Sequence, residues 1–226
     1  MSGNGIRVAV EGSIGAGKTT MVRRLAARCE NSEVVHEVIP MKFLGLFYDD
    51  PRKYGLGFQT TMLSERLRSN DKMGIENTHA WRFWDRSLIG DFVFAYTNYV
   101  IGNLEEKEYA AYKQYFEKNV TGPRGAGLNV DAIVYLTSPP HVCRERILER
   151  QRIVGECRGA DEEYLKKLDE VHRAEIGRLS KEHNIPVVRV EHDYYDRRGS
   201  EGVQIILDAI AGCVKNGTVQ ELSKQT

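Results

Sequence analysis

The sequence predicts an α/β fold, a parallel sheet of five strands flanked by helices, in one domain spanning residues 1–226. Three observations carry that expectation. Short runs rich in β-branched and aromatic residues alternate with longer stretches of helical spacing. A glycine-rich loop joins the first such run to the first helical stretch. The chain of 226 residues, 41% hydrophobic and 28% charged, is long enough for one sizeable core beneath a solvated surface.

The strand candidates are Ile6 to Val10, Val34 to Val38, Trp81 to Trp84, Ala132 to Leu136 and Val187 to Val190. Each is short and apolar enough to be a buried strand. Helical spacing covers Thr20 to Cys29, Tyr54 to Arg68, Leu104 to Lys118, His141 to Glu149, Glu163 to Leu179 and Gly202 to Val214. The polar stretch 217–226 is expected to fray. No internal repeat interrupts this order.

Composition limits the partners. With 32 Lys and Arg against 32 Asp and Glu, the chain has no net field for gripping a nucleic acid. No run approaches the eighteen or so apolar residues that a membrane span requires. Cys29, Cys143, Cys157 and Cys213 are scattered, without metal-ligand spacing, which fits a reduced cytoplasmic setting.

The strongest motif follows the first strand. Gly12, Ser13, Ile14, Gly15, Ala16, Gly17, Lys18, Thr19 and Thr20 match G-x-x-x-x-G-K-[ST] between a strand and a helix. Such a loop aims backbone N–H groups at phosphate oxygens, and the helix that follows turns its positive end to the same anion. Lys18 is expected on the β- and γ-phosphates of a nucleotide and the Thr19 hydroxyl on magnesium. The chain carries no N/T-K-x-D for reading guanine, which leaves a small-molecule kinase as the leading class: a P-loop kinase fold.

A kinase of that kind needs a base near the acceptor hydroxyl, a second magnesium ligand at a strand end, and mobile arginines. Glu37, in the second strand run, is the candidate base; a structural carboxylate is the competing reading. Asp85 and Arg86 end the third strand run, at the edge where open α/β sheets bind ligands. Arg146, Arg150 and Arg152 lie beyond the fourth. Arg146 and Arg150 share a helix face, either as an arginine-rich lid over a polyphosphate or as a solvated surface paired with Glu145 and Glu149.

From Ile6 to about Arg173 this ordered series resembles the deoxynucleoside kinase family. It comprises Glu11 with the P-loop, Glu37, Tyr48, Phe58-Gln59, Arg66, Asp85-Arg86-Ser87 with Asp91, Tyr135-Leu136 before Pro139, the arginines, and Tyr164-Leu165. The resemblance implies that Glu37 takes the proton of a deoxynucleoside 5′-hydroxyl as it attacks the γ-phosphate of ATP, with Mg2+ held by Thr19 and Asp85. It implies Arg86 on the 5′-oxygen, Gln59 on the base edge and Tyr48 on the sugar 3′-hydroxyl, with Phe58 either stacking on the base or in the core. Arg66 and Asp91 match the charged pair of relatives that accept cytosine or purine deoxynucleosides, so weak use of thymidine is expected. Relatives are homodimers through helices around Asp91 and Leu104 to Lys118.

The sequence departs from the family pattern in two places. The stretch from Asp91 to Phe94 is one residue shorter, which leaves a stacking role for Phe94 open. Beyond Arg152 there are extra residues before Tyr164, and Glu156 is expected either at the 3′-hydroxyl or in an exposed loop. Thymidylate kinase and a kinase-like subunit without catalysis are the alternatives to a deoxynucleoside kinase.

Overall fold

The computed structural model of the chain describes residues 5–74, 79–123, 125–150, 154–192, 194–217 and 220–223. Its strands are β1 (Ile6–Gly12), β2 (Ser32–Val35), β3 (Trp81–Asp85), β4 (Ala132–Thr137), β5 (Val187–Glu191) and β6 (Gln220–Leu222). The helices are α1 (Lys18–Ala26), α2 (Met41–Asp49), α3 (Pro51–Gly74), α4 (Leu88–Val100), α5 (Glu106–Phe116), α6 (Pro140–Arg150), α7 (Val154–Gly159), α8 (Glu162–Glu182) and α9 (Tyr194–Asn216). A π-helical turn, Glu117–Thr121, extends α5.

All strand pairs are parallel, in the order β2-β3-β1-β4-β5-β6. From β1 the chain passes to β2 at one edge, returns to β3 beside β1, and then builds outward on the other side through β4, β5 and β6, so the carboxyl ends of β1 and β3 flank the point where strand order reverses. That is where a doubly wound sheet opens a crevice. Val8, Ala9 and Val10 of β1 and Ile133 and Val134 of β4 are fully buried, because helices cover both faces of the sheet.

The sheet has six strands, one more than expected. Gln220–Leu222 falls in the stretch expected to fray, yet Leu222 pairs with Val190 and is buried. A three-residue strand with two exposed polar residues carries no apolar run, so only its pairing with β5 reveals it. The second strand ends at Val35, two residues before Glu37, which lies in the loop leading to α2. Helices α2 and α4 carry many apolar residues and were not separated from the neighbouring patterns by spacing alone.

Inside α8, His172 is fully buried, its Nδ1 donating to the Leu168 carbonyl at 2.8 Å. Its ring stacks on Tyr135 and meets Phe94 edge-on. Burial lowers its pKa from 6.5 to about 3, and the Arg86 charge adds to that. A neutral histidine of this kind contributes stability that is fully present above pH 6.5 and is lost as the pH falls from there toward 3. Urea midpoints at pH 7.5 and pH 4.5 should therefore show an acid-side loss in the wild type. His172→Gln, which cannot charge, should flatten that slope.

Candidate active site

The P-loop occupies the crevice. Gly12 and Gly15 have φ of 145° and 81°, and a Cβ on Gly15 would lie 2.5 Å from the Cys143 carbonyl oxygen, so both torsion and close approach require glycine there. Lys18 Nζ folds back on the loop, donating to the Ser13 and Gly12 carbonyls at 2.7 and 3.1 Å. Burial brings its pKa down to about 7, with the Arg86 charge acting in the same direction and Asp85 and Glu37 opposing. A lysine in this state is poised to regain a full charge when an anion arrives. Thr19 Oγ1 donates to Asp85 Oδ2 at 2.5 Å, which brings together the hydroxyl of α1 and the carboxylate that ends β3.

Behind β3 the chain makes a tight turn. Arg86 has φ of 69°, outside the usual range for a side chain of its size. Its N–H donates to Val10 O at 3.1 Å and its Nη1 to Gly12 O at 3.0 Å. Glu11 anchors the next residue: its Oε1 accepts from the Ser87 N–H at 2.6 Å and from the Ser87 hydroxyl at 2.7 Å. The Ser87 oxygen in turn accepts from the Ile89 N–H, capping α4. Burial raises the pKa of the Glu11 carboxyl, with Arg86 and Ser87 pulling it back.

Beside Arg86 stands a buried charge network. Arg66, from α3, donates to Asp91 through Nε at 2.6 Å and Nη2 at 3.2 Å, and to the Arg86 carbonyl through Nη1 at 3.1 Å. Its Nη2 also reaches Glu37 Oε1 at 3.1 Å, and Arg86 Nε lies 3.4 Å from the same oxygen. Burial by itself would raise the Glu37 pKa; Arg86, Arg66 and Lys18 together outweigh that and hold it below 4.5. Burial pushes Asp91 upward and Arg66 opposes it, while the surrounding carboxylates raise the pKa of Arg66 and keep it charged.

Glu37, Asp91 and Arg86 line a cavity of about 270 Å³, with Arg66 behind them. It brings together Lys18, Thr19, Glu37, Tyr48, Phe58, Gln59, Asp85, Arg86, Asp91, Phe94, Arg146, Arg150 and Glu156 from distant parts of the sequence. Glu156, left open between sugar pocket and exposed loop, is buried, with Oε1 taking a 2.5 Å hydrogen bond from Arg150. Phe94, also left open, lies in the lining with the Arg86 guanidinium 4.4 Å from its ring centre. Phe58 stacks on Phe47 at 4.9 Å, as a core residue would, and also lines the cavity. Arg146 donates to the Gly15 carbonyl at 3.3 Å, which ties α6 to the P-loop. Arg152 lies outside the described residues.

Sequence reasoning did not single out Ile39, Leu44, Phe47 and Met62, which add apolar surface to the lining, and it gave no role to Tyr164, which also lines the cavity, or to Glu11 behind it. The recurrence of Leu44, Phe47 and Tyr48 at helical intervals was a usable signal for α2. A carboxylate inside the apolar run of β1 was another. Among the described residues no cluster of three or more His, Cys, Asp or Glu is placed to hold a metal, and no helix is long and apolar enough to cross a membrane.

A P-loop at the switch point of a parallel sheet, facing a pocket with an acidic and basic lining, is the architecture of P-loop phosphotransferases. The deoxynucleoside kinase family model matches residues 8–211, and the chain belongs to that family. It is 30% identical to deoxycytidine kinase 2 of Gallus gallus over 193 residues, 74% of this chain and 72% of the relative. It is also 30% identical to deoxyadenosine kinase of Dictyostelium discoideum over 191 residues, 82% and 72% of the two chains. The fold matches a structure of deoxyadenosine kinase from M. mycoides with bound dCTP at a TM-score of 0.73 and 20% identity, covering 92% of this chain and 100% of that one.

Removing Arg66 would strand the buried Asp91 carboxylate and loosen Glu37. Arg66→Met should lower the unfolding free energy by about 3–5 kcal/mol in urea titrations. Arg66→Met combined with Asp91→Leu, which leaves no buried lone carboxylate there, should be milder than the single change.

Proposed function

We propose that this kinase transfers the γ-phosphate of ATP to the 5′-hydroxyl of a 2′-deoxynucleoside in nucleotide salvage, favouring deoxycytidine or purine deoxynucleosides over thymidine. The observation that carries the reading is the Glu37 carboxylate, held by Arg66 and Arg86 in the cavity that Lys18 and the P-loop also line. An ionised carboxylate in that place suits an acceptor that arrives uncharged. A phosphorylated acceptor would meet repulsion there.

The donor triphosphate lies along the P-loop amides, with Lys18 turned from the Ser13 carbonyl onto phosphate oxygen. Thr19 and Asp85 supply two adjacent hard oxygens, a donor set that suits Mg2+, an ion that completes its shell with water and phosphate. When bound, Mg2+ supplies neutralisation of the phosphate charge.

Glu37 is too weak a base, with its lowered pKa, to ionise a free alcohol in advance. It orients the 5′-hydroxyl by accepting its hydrogen bond. The proton passes to the carboxylate as the bond from the 5′-oxygen to the γ-phosphorus forms, the bond from that phosphorus to the bridging oxygen breaks and ADP leaves, which suits a loose transition state in which the alcohol oxygen becomes acidic late. Arg86, already in contact with Glu37, is placed to follow the developing charge onto the transferred phosphoryl group. Arg146 and Arg150, with Arg152, close from the lid side and exclude water that would otherwise compete as acceptor.

Gln59, buried and cavity-lining, reads the base edge, with Phe58 and Phe94 on its faces. Asp91, held by Arg66, fills the position that a thymine methyl would need. Tyr48 and Glu156 take the sugar 3′-hydroxyl. The protein works as a homodimer in the cytoplasm; exposed Val100 and Ile101 at the end of α4 and Tyr115 on α5 support a shared surface there.

Phosphoryl transfer from ATP and magnesium to the four deoxynucleosides and to thymidine monophosphate tests the reading. Deoxycytidine or a purine deoxynucleoside should be turned over best, thymidine weakly and the monophosphate not at all. Glu37→Gln should lower kcat by about 10²- to 10⁴-fold. Near-normal activity of that variant would remove Glu37 from the mechanism.

Lys18 gives a second test. With its pKa at about 7 in the free protein, it is largely neutral at pH 8 and is recharged by bound triphosphate. Titration calorimetry of ATP at pH 8 in buffers of different ionisation enthalpy should therefore read net proton uptake. Affinity should fall as the pH rises above about 7.

A further inference from the structure

Between the lid arginines and Tyr164 the chain forms α7, a helix of only six residues with glycine at Gly155 and Gly159. The two glycines are four apart, on one helix face. Both meet the same side chain. A Cβ built on Gly155 would stand 2.8 Å from Tyr48 Cβ, and one on Gly159 would stand 2.3 Å from Tyr48 Cδ1 and 3.0 Å from Cε1. The Tyr48 ring of α2 is therefore seated in a groove that exists only because neither residue has a side chain. No such contact touches Gly177 of α8, where a Cβ would meet nothing within 4 Å.

Glu156 lies next to Gly155 on the same short helix and is 2% exposed. One of its oxygens is engaged by Arg150, and the other, Oε2, is buried with no hydrogen-bond partner among the described residues. Both Glu156 and Tyr48 line the cavity. Burial raises the Tyr48 hydroxyl pKa well above 10, and the nearby Tyr164 and Glu156 raise it further, so it stays a neutral donor close to that carboxylate.

We propose that Gly155 and Gly159 are positioning residues: they seat the Tyr48 ring against α7, so that Tyr48, Glu156 and the lid residue Arg150 take up their places as one unit. The lid that closes over the donor phosphates thereby also assembles the sugar side of the acceptor pocket. This rests on the reading of Tyr48 and Glu156 as the 3′-hydroxyl site, and deepens it. The mechanical consequence is that a methyl group on either glycine pushes α7 off Tyr48, and the cost falls on recognition of the 3′-hydroxyl before it falls on the chemistry.

The test compares kcat/KM for the best 2′-deoxynucleoside with that for its 2′,3′-dideoxy counterpart. In the wild type the ratio should be about ten- to a hundredfold, the worth of hydrogen bonds to a charged group. Tyr48→Phe calibrates the underlying site and should reduce the ratio. Gly159→Ala should reduce it toward unity by lowering the rate on the 3′-hydroxylated substrate while changing the dideoxy rate by less than about threefold. Gly155→Ala, whose nearest contact is less severe, should act in the same direction and serves if Gly159→Ala does not fold. Gly177→Ala should leave the ratio unchanged. If Tyr48→Phe lowers the ratio but the folded glycine variants depress both substrates equally, or neither, the seat is overturned and the 3′-hydroxyl site stands. An unchanged ratio in Tyr48→Phe removes Tyr48 from sugar recognition and overturns the proposal together with that reading.

Discussion

The site depends on one buried guanidinium. Arg66 holds Asp91, Glu37 and the Arg86 carbonyl at once, drawing together α3, α4, the turn after β3 and the loop after β2. Two carboxylates this close would repel one another and lose their charges in a dry interior without a cation between them. With Arg66 in place both are fixed in orientation, and Glu37 stays ionised. The price is desolvation of three charges, which bidentate geometry to Asp91 offsets in part.

A third carboxylate, fully buried, works from behind. Glu11 makes no contact with the cavity, but it holds the Ser87 backbone and hydroxyl, and so secures both the start of α4 and the left-handed turn at Arg86. Gly90 is part of the same fit, because a Cβ there would stand 2.6 Å from Glu11 Oε2. The strain in the turn is thus borne by a residue of β1, next to the P-loop, whose Gly12 carbonyl accepts from Arg86.

The parts differ in how rigidly they are held. P-loop, Asp85 and Arg86 are fixed to the ends of central strands by backbone hydrogen bonds. Arg146, Arg150 and Glu156 sit on short helices joined by a few side-chain contacts, and Tyr48 sits on a helix that packs mainly against α3 and α7. An enzyme that must admit a nucleoside and then exclude water needs that division between a stiff phosphate cradle and a light cover.

Much of this was legible in the sequence. The P-loop is a contiguous signal whose physics is local, so residues 12 to 20 announced their own conformation. Glu37, Asp85, Arg86, Arg66 and Asp91 could be picked out by order and residue type; the structure brings four of them into the lining of one cavity and sets Arg66 behind them, bonded to Asp91 and Glu37. The sequence could not say that Arg66 holds Glu37 as well as Asp91, that Glu11 secures Ser87, that a polar tail adds a sixth strand, or that two glycines make room for Tyr48. Local periodicity records which way a residue faces along its own element. Contacts between residues 25 to 111 positions apart are set by how the elements pack, and only the tertiary structure decides them.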